Sequence, residues 1–148
     1  MSDAVQTVRL TQVQDFRFEV DFGGGLPHLQ TDEPPPLGEG RGPTPVQQLA
    51  AAVGNCLSAS LLFALRKFKQ QPEPLSTQVE VRVGRNAEGR MRVLAMKATL
   101  TLGVPGATLE HLDRVLATFE SYCTVTQSVS AAIPVAVAVF DRDGVCLK

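Results

Sequence analysis

Residues 45–68, PVQQLAAAVGNCLSASLLFALRKF, decide the fold of this chain. The apolar run from Leu49 to Phe68 is interrupted only by Gly54, Asn55, Ser58, Ser60 and the basic pair Arg66 and Lys67. Thr44 offers a side-chain oxygen as an N-cap and Pro45 fits the first helical position, while Arg66, Lys67 and Lys69 suit the negative end of a helix dipole. Pro72 and Pro74 stop the helix. A helix of ~25 residues spans ~37 Å, the width of a small domain. Being apolar nearly all round, it must be buried on most sides, so further helices or a second subunit have to help cover it.

Upstream of this helix, Phe16, Phe18, Val20 and Phe22 alternate with Arg17, Glu19 and Asp21, the period of two of a half-buried strand. Residues 5–22 are expected to form one or two strands. Gly23, Gly24 and Gly25 end that pattern, and the proline- and glycine-rich segment 32–45 reads as an exposed loop. Downstream, Val79, Val81 and Val83 alternate with polar residues, and Leu94, Met96, Ala98, Leu100 and Leu102 share one face of the next strand; together they predict a long hairpin. Thr108 is expected to cap a second helix whose Leu109, Leu112, Val115, Leu116 and Phe119 form an apolar stripe. A short helix after Cys123 and a strand over 134–140 complete an α+β order with one domain over residues 1–148.

The chain has 148 residues, 14 basic and 15 acidic side chains, and a net charge of −1. A domain of that size buries about 68–70% of its unfolded surface, enough for a core without disulfides or a structural metal. The balanced charge argues against nucleic acid as a partner, since phosphate-backbone binding needs a concentrated basic surface. The absence of about 18 uninterrupted apolar residues and the charged first 22 positions predict no membrane span and a cytoplasmic protein. His28 and His111 stand alone, without the paired spacing of a zinc site, and no metal or other cofactor is expected.

Three cysteines without a secretory context direct attention to thiol chemistry. Cys56 lies mid-helix, where burial alone raises a thiol pKa and leaves it inert unless a cation or dipole compensates. Cys123 precedes a predicted helix, whose unpaired N–H groups are expected to favour its thiolate. Cys146 has no evident partner in the C-terminal tail and reads as an incidental thiol.

GPTPVQQLAAAVGNC at 42–56, the LSASLLFALRK that follows it, and the later SYCTVTQSV around Cys123 closely resemble the OsmC/Ohr superfamily of small thiol proteins. FRFEVDFGG and DEPPPLGEG upstream resemble the OsmC-like branch. The resemblance implies an intertwined homodimer with long central helices wrapped by antiparallel β-sheets. It implies a peroxidase acting on organic hydroperoxides, with Cys56 attacking the peroxide, Cys123 closing a disulfide and an external dithiol reducing it. The family also places an N-terminal arginine beside the first thiol, oriented by a glutamate near the start of the long helix. Arg17 is the candidate here and Arg41 its competitor. Here the sequence departs: the glutamate position falls on Val46 or Gln47, neither of which bears charge. Gln47 can hold a guanidinium only through a neutral hydrogen bond, about half as strong as a charge-assisted one, and Glu39 is an alternative. A non-catalytic redox-sensing or small-molecule-binding domain is the competing expectation.

Overall fold

The computed structural model describes residues 3–148. They form two compact units, which divide between Gln48 and Leu49.

The first unit is a three-stranded antiparallel sheet in the order β1 (Arg9–Gln14), β2 (Arg17–Asp21) and β3 (Leu29–Thr31). The alternating stretch is therefore a hairpin with a tight turn, in which Asp15 takes a left-handed φ of 51°. Residues 5–8 lie outside the strands. In β2 the alternation places Val20 inside, whereas every residue of β1 is exposed, Leu10 and Val13 included. His28 is not a free surface histidine: its ring nitrogens face Glu19 at 3.0 Å and Asp21 at 3.5 Å.

The loop after β3 is organised by one buried carboxylate. Asp32 accepts backbone hydrogen bonds from Glu33 (2.8 Å), Glu39 (3.2 Å) and Arg41 (3.1 Å). These donors would otherwise be left unpaired, because the prolines interrupt any regular ladder. Gly42 is required on different grounds: a β-carbon there would collide with the backbone carbonyl of Gln30.

The decisive stretch forms α1 (Pro45–Lys67). Thr44 and Gln47 make a reciprocal capping box: Thr44 Oγ1 accepts from the Gln47 N–H at 3.2 Å, and Gln47 Oε1 accepts from the Thr44 N–H at 2.9 Å.

In the second unit β4 (Ser76–Arg85) and β5 (Met91–Thr101) pair antiparallel, and β6 (Val135–Phe140) pairs parallel to β5. The expectation of wholly antiparallel sheets is thus corrected. Between β5 and β6 the chain passes through helices, a crossover that returns it in the same direction as β5. Val53, Leu57, Leu61, Ala64 and Leu65 of α1 meet Met96, Ala98 and Leu100 of β5, with Val139 of β6, in one core. Gly54 permits the close approach of helix to sheet, since a β-carbon there would lie 2.8 Å from Val79 Cγ2. Ser58 fastens the same contact, donating to the Gly54 carbonyl and bonding Thr77 Oγ1, each at 2.6 Å. Val83 is exposed because a bulge shifts the register beside Arg82.

Two expectations about helices need correction. Thr108 does not cap a helix; its hydroxyl donates back to the Pro105 carbonyl within a 3₁₀ turn. The second helix, α2 (Leu112–Thr118), starts later, after His111 adopts a left-handed φ of 59° and stacks on Phe68 at 4.7 Å. A 3₁₀ turn over Phe119–Tyr122 then leads to α3 (Thr124–Val129), where the sequence places it. α1 is less enclosed than its composition demands: Ala51, Ala52, Asn55, Ala59 and Phe63 are exposed. α1 is long and apolar enough to cross a membrane, but its buried residues belong to the core just described.

Candidate active site: the Cys56 and Cys123 thiols

Cys56 is half-buried in the middle of α1, and Cys123 is fully buried at the residue preceding α3. Both are free thiols. Core packing brings them together, with Cys56 at the edge of the cluster that contains Cys123.

Burial pushes the Cys123 thiol above its ordinary value of 9.0, and Cys56 raises it further as a hydrogen-bond partner and as a neighbouring charge. Thr126 opposes both effects: its Oγ1 lies 2.9 Å from Cys123 Sγ, inside the core, and its backbone acts in the same direction. The expectation of an acidified Cys123 is therefore overturned. The Thr126 backbone, in the first turn of α3, does favour the thiolate, but desolvation and the Cys56 sulfur act the other way and burial is the largest of these effects. Thr126 was not singled out from the sequence, although the Cys-x-x-Thr spacing at a helix start is the signal that finds it, since residues three apart share a face.

The remaining candidates lie in the first unit. Arg17 donates through Nη2 to Gln14 Oε1 at 2.9 Å, while its buried Nε has no hydrogen-bond partner among the described residues. Asp32 lines the same cleft of about 200 Å³. The Arg41 N–H, then those of Glu33 and Glu39, and last the Arg17 charge, hold its carboxyl below the usual range despite burial. Asp32 is a functional candidate that sequence reasoning missed; an aspartate leading into a proline-rich loop was the available signal. Arg41 pairs with Glu39, Nε to Oε2 at 2.6 Å, and both are exposed. Glu39 is thus engaged with Arg41. Gln47 spends its side-chain carbonyl on the cap, and Val46 beside it offers no polar group. Cys146 is exposed in the C-terminal segment, and its thiol donates to the Lys148 carbonyl at 3.5 Å.

Residues 38–138, which contain α1, both core thiols and most of the second sheet, match the family described as OsmC-like protein. The chain belongs to the OsmC-like family. Solved structures agree in fold. An OsmC-like protein of unknown function from Vibrio cholerae superposes with a TM-score of 0.79 at 16% identity, covering 93% of this chain and 100% of that one. An organic hydroperoxide resistance protein OsmC from Legionella pneumophila gives 0.72 at 18% identity, covering 94% and 98%. The organic hydroperoxide resistance protein OhrB of Bacillus subtilis gives 0.70 at 12%, covering 92% and 98%. At these identities the likeness concerns the fold. No curated protein matches the sequence. The OsmC-like assignment agrees with an α+β chain of two sheets.

Proposed function

We propose that this OsmC-like chain is a thiol peroxidase that reduces organic hydroperoxides in the cytoplasm. The observation that carries the reading is the pairing of a half-buried thiol on α1 with a fully buried one before α3. The names of several structural relatives as organic hydroperoxide resistance proteins support the substrate class.

In the first step the Cys56 thiolate attacks the distal oxygen of ROOH; the O–O bond breaks, Cys56 becomes a sulfenic acid and the alkoxide leaves as ROH after taking a proton. Cys123 sulfur then attacks the sulfenic sulfur, water departs and a Cys56–Cys123 disulfide forms. An external dithiol supplies two electrons and two protons to restore both thiols. Burial of Cys123 suits the second step, because a resolving thiol that stays protonated at rest does not compete for peroxide. By resemblance, Arg17 is the cation of the cycle, and its fixed charge favours the Cys56 thiolate and the departing alkoxide. Gln47 and Arg41 are the proposed substrate contacts. Leu10 and Val13 exposed on β1, and Phe63 exposed on α1, support a homodimer. A monomer in light scattering at micromolar concentration contradicts that assembly.

Cumene hydroperoxide consumption with dithiothreitol as reductant tests the activity. Sustained turnover by the parent chain, abolished in Cys56→Ser, is the expected result. No consumption, or undiminished consumption in Cys56→Ser, rejects the peroxidase. A second reading, a redox sensor without turnover, is favoured by one observation: no carboxylate stands at Val46 or Gln47, and the Gln47 carbonyl is already used. It predicts one equivalent of peroxide consumed per chain and then arrest.

A further inference from the structure

We propose that Lys148 and Glu120 are positioning residues for Cys123: their ion pair holds the short segment that presents the buried thiol to Cys56. The proposal rests on the reading of Cys123 as the thiol that closes the disulfide. Cys123 follows the four-residue 3₁₀ turn Phe119–Tyr122 and precedes the six-residue α3, and the seven-residue α2 leads into the turn. Helices this short are unstable on their own, because nucleation costs more than so few hydrogen bonds return. Tertiary fasteners therefore keep the thiol in place.

Lys148 is such a fastener. Its backbone is fixed to the second sheet: the Val139 N–H donates to the Lys148 carbonyl at 2.9 Å, and the Lys148 N–H donates to the Val139 carbonyl at 3.2 Å. From that anchor Nζ crosses to donate to the Leu116 carbonyl of α2 at 2.8 Å and to the Glu120 carboxylate of the 3₁₀ turn, and it lies 5.3 Å from the centroid of the buried Phe119 ring. Glu120 passes the constraint on. Its backbone carbonyl accepts from the Cys123 N–H at 3.1 Å and from Gln127 Nε2 at 3.0 Å, so its side chain ties it to the sheet through Lys148 and its backbone ties it to Cys123 and α3. The ion pairs of Arg41, Arg66 and Arg142 differ: each joins residues at most seven apart through an arginine at least 60% exposed, whereas Lys148 and Glu120 stand 28 apart and are 34% and 29% exposed. Partial exclusion from water and reach between distant segments set this pair above an ordinary surface pair. Without the ammonium, the Glu120 carboxylate loses its partner and the segment from α2 to α3 opens locally. The reduced protein then samples forms in which Cys123 has moved away from Cys56, which lowers its effective concentration toward that sulfur.

The test reads the placement of Cys123 without any hydroperoxide. In reduced protein carrying Cys56→Ser and Cys146→Ser, Cys123 is the one remaining thiol and, being fully buried, reacts with iodoacetamide only when its segment opens. Lys148→Gln and Glu120→Gln are each expected to speed that alkylation about fivefold or more, the loss of a charge-assisted contact discounted for partial exposure. Lys148→Arg should restore the slow rate, and Arg66→Gln should leave it unchanged. Glu120→Gln keeps the backbone contacts and serves if Lys148→Gln misfolds. A second measurement equilibrates Cys146→Ser protein with reduced and oxidised glutathione: the Cys56 and Cys123 thiols pass two electrons and two protons to glutathione disulfide, which becomes two glutathione thiols. The same two variants should lower the effective concentration of the pair by a similar factor. Unchanged alkylation, or an unchanged effective concentration, in the folded variants overturns the proposal. So does faster alkylation that loss of global stability in urea fully accounts for, or effects of Lys148→Gln and Glu120→Gln that simply add in the double variant. Failure of the parent chain to consume cumene hydroperoxide while these thiol results hold removes the peroxidase and leaves the positioning in place; turnover abolished by Cys56→Ser beside unchanged thiol results removes the positioning alone.

Discussion

Replacing Thr126 by valine removes one hydroxyl from the core while keeping the branched shape. In the parent chain that hydroxyl is 2.9 Å from Cys123 Sγ and favours the thiolate of a group that burial otherwise holds protonated. A hydrogen bond to a charged group contributes about 1.5–3 kcal/mol and one to a neutral group about 0.5–1.5, so the thiolate loses about 1–1.5 kcal/mol more than the thiol does. That difference corresponds to about one pH unit in the titration midpoint. The expected rate effect is smaller. About tenfold less thiolate is partly offset because the more basic sulfur is the better nucleophile, with a Brønsted slope of about 0.4–0.5, leaving disulfide closure about three- to fourfold slower. The midpoint can be read from the ¹³Cβ resonance of Cys123 in labelled protein carrying Cys56→Ser and Cys146→Ser, with and without Thr126→Val. A midpoint that stays put or falls in the folded valine variant refutes the assignment of Thr126 as the group that eases ionisation of Cys123.

Three further outcomes are expected. Leu57→Ala, at a fully buried position one residue beyond Cys56, should cost about 2–5 kcal/mol in urea denaturation through lost burial and a residual cavity. Thr44→Ala removes one half of the capping box and should cost about 1 kcal/mol; an unchanged unfolding midpoint would mean that the Gln47 contact alone suffices. The stability of the reduced chain should fall as pH rises past about 9. The folded pKa of Cys123 is raised, so the unfolded chain releases its proton first and binds fewer protons above the ordinary value of 9.0, and the stabilisation fully present below that value is lost above it. Cys123→Ala should flatten that alkaline decline in urea titrations performed across pH 8 to 11.

The site was only partly legible beforehand. Cys56 and Cys123 could be named because each sits in a recognisable local context, one in an apolar helical run and one ahead of a short helix. The acid–base character of Cys123 could not. It is a balance in which desolvation and the Cys56 sulfur outweigh the Thr126 hydroxyl and backbone, whereas a helix-start position points only to the N–H groups and so to the wrong net sign. Gln47 shows the same limit. Its residue type and its place three after Thr44 permit a guanidinium contact or a capping box equally, and the backbone geometry settles which one its carbonyl makes.

By itself, the sequence determined what is local: the extent of α1 from Thr44, Pro45 and the prolines after Lys69, and the long hairpin of β4 and β5. Those features follow from capping, dihedral restriction and hydrophobic period, which act over a few residues. Tertiary structure alone decided the parallel docking of β6 on β5, the left-handed break at His111 and the company kept by each thiol. These depend on where distant segments land, and free energies of desolvation and cross-strand pairing are set by neighbours far apart along the chain.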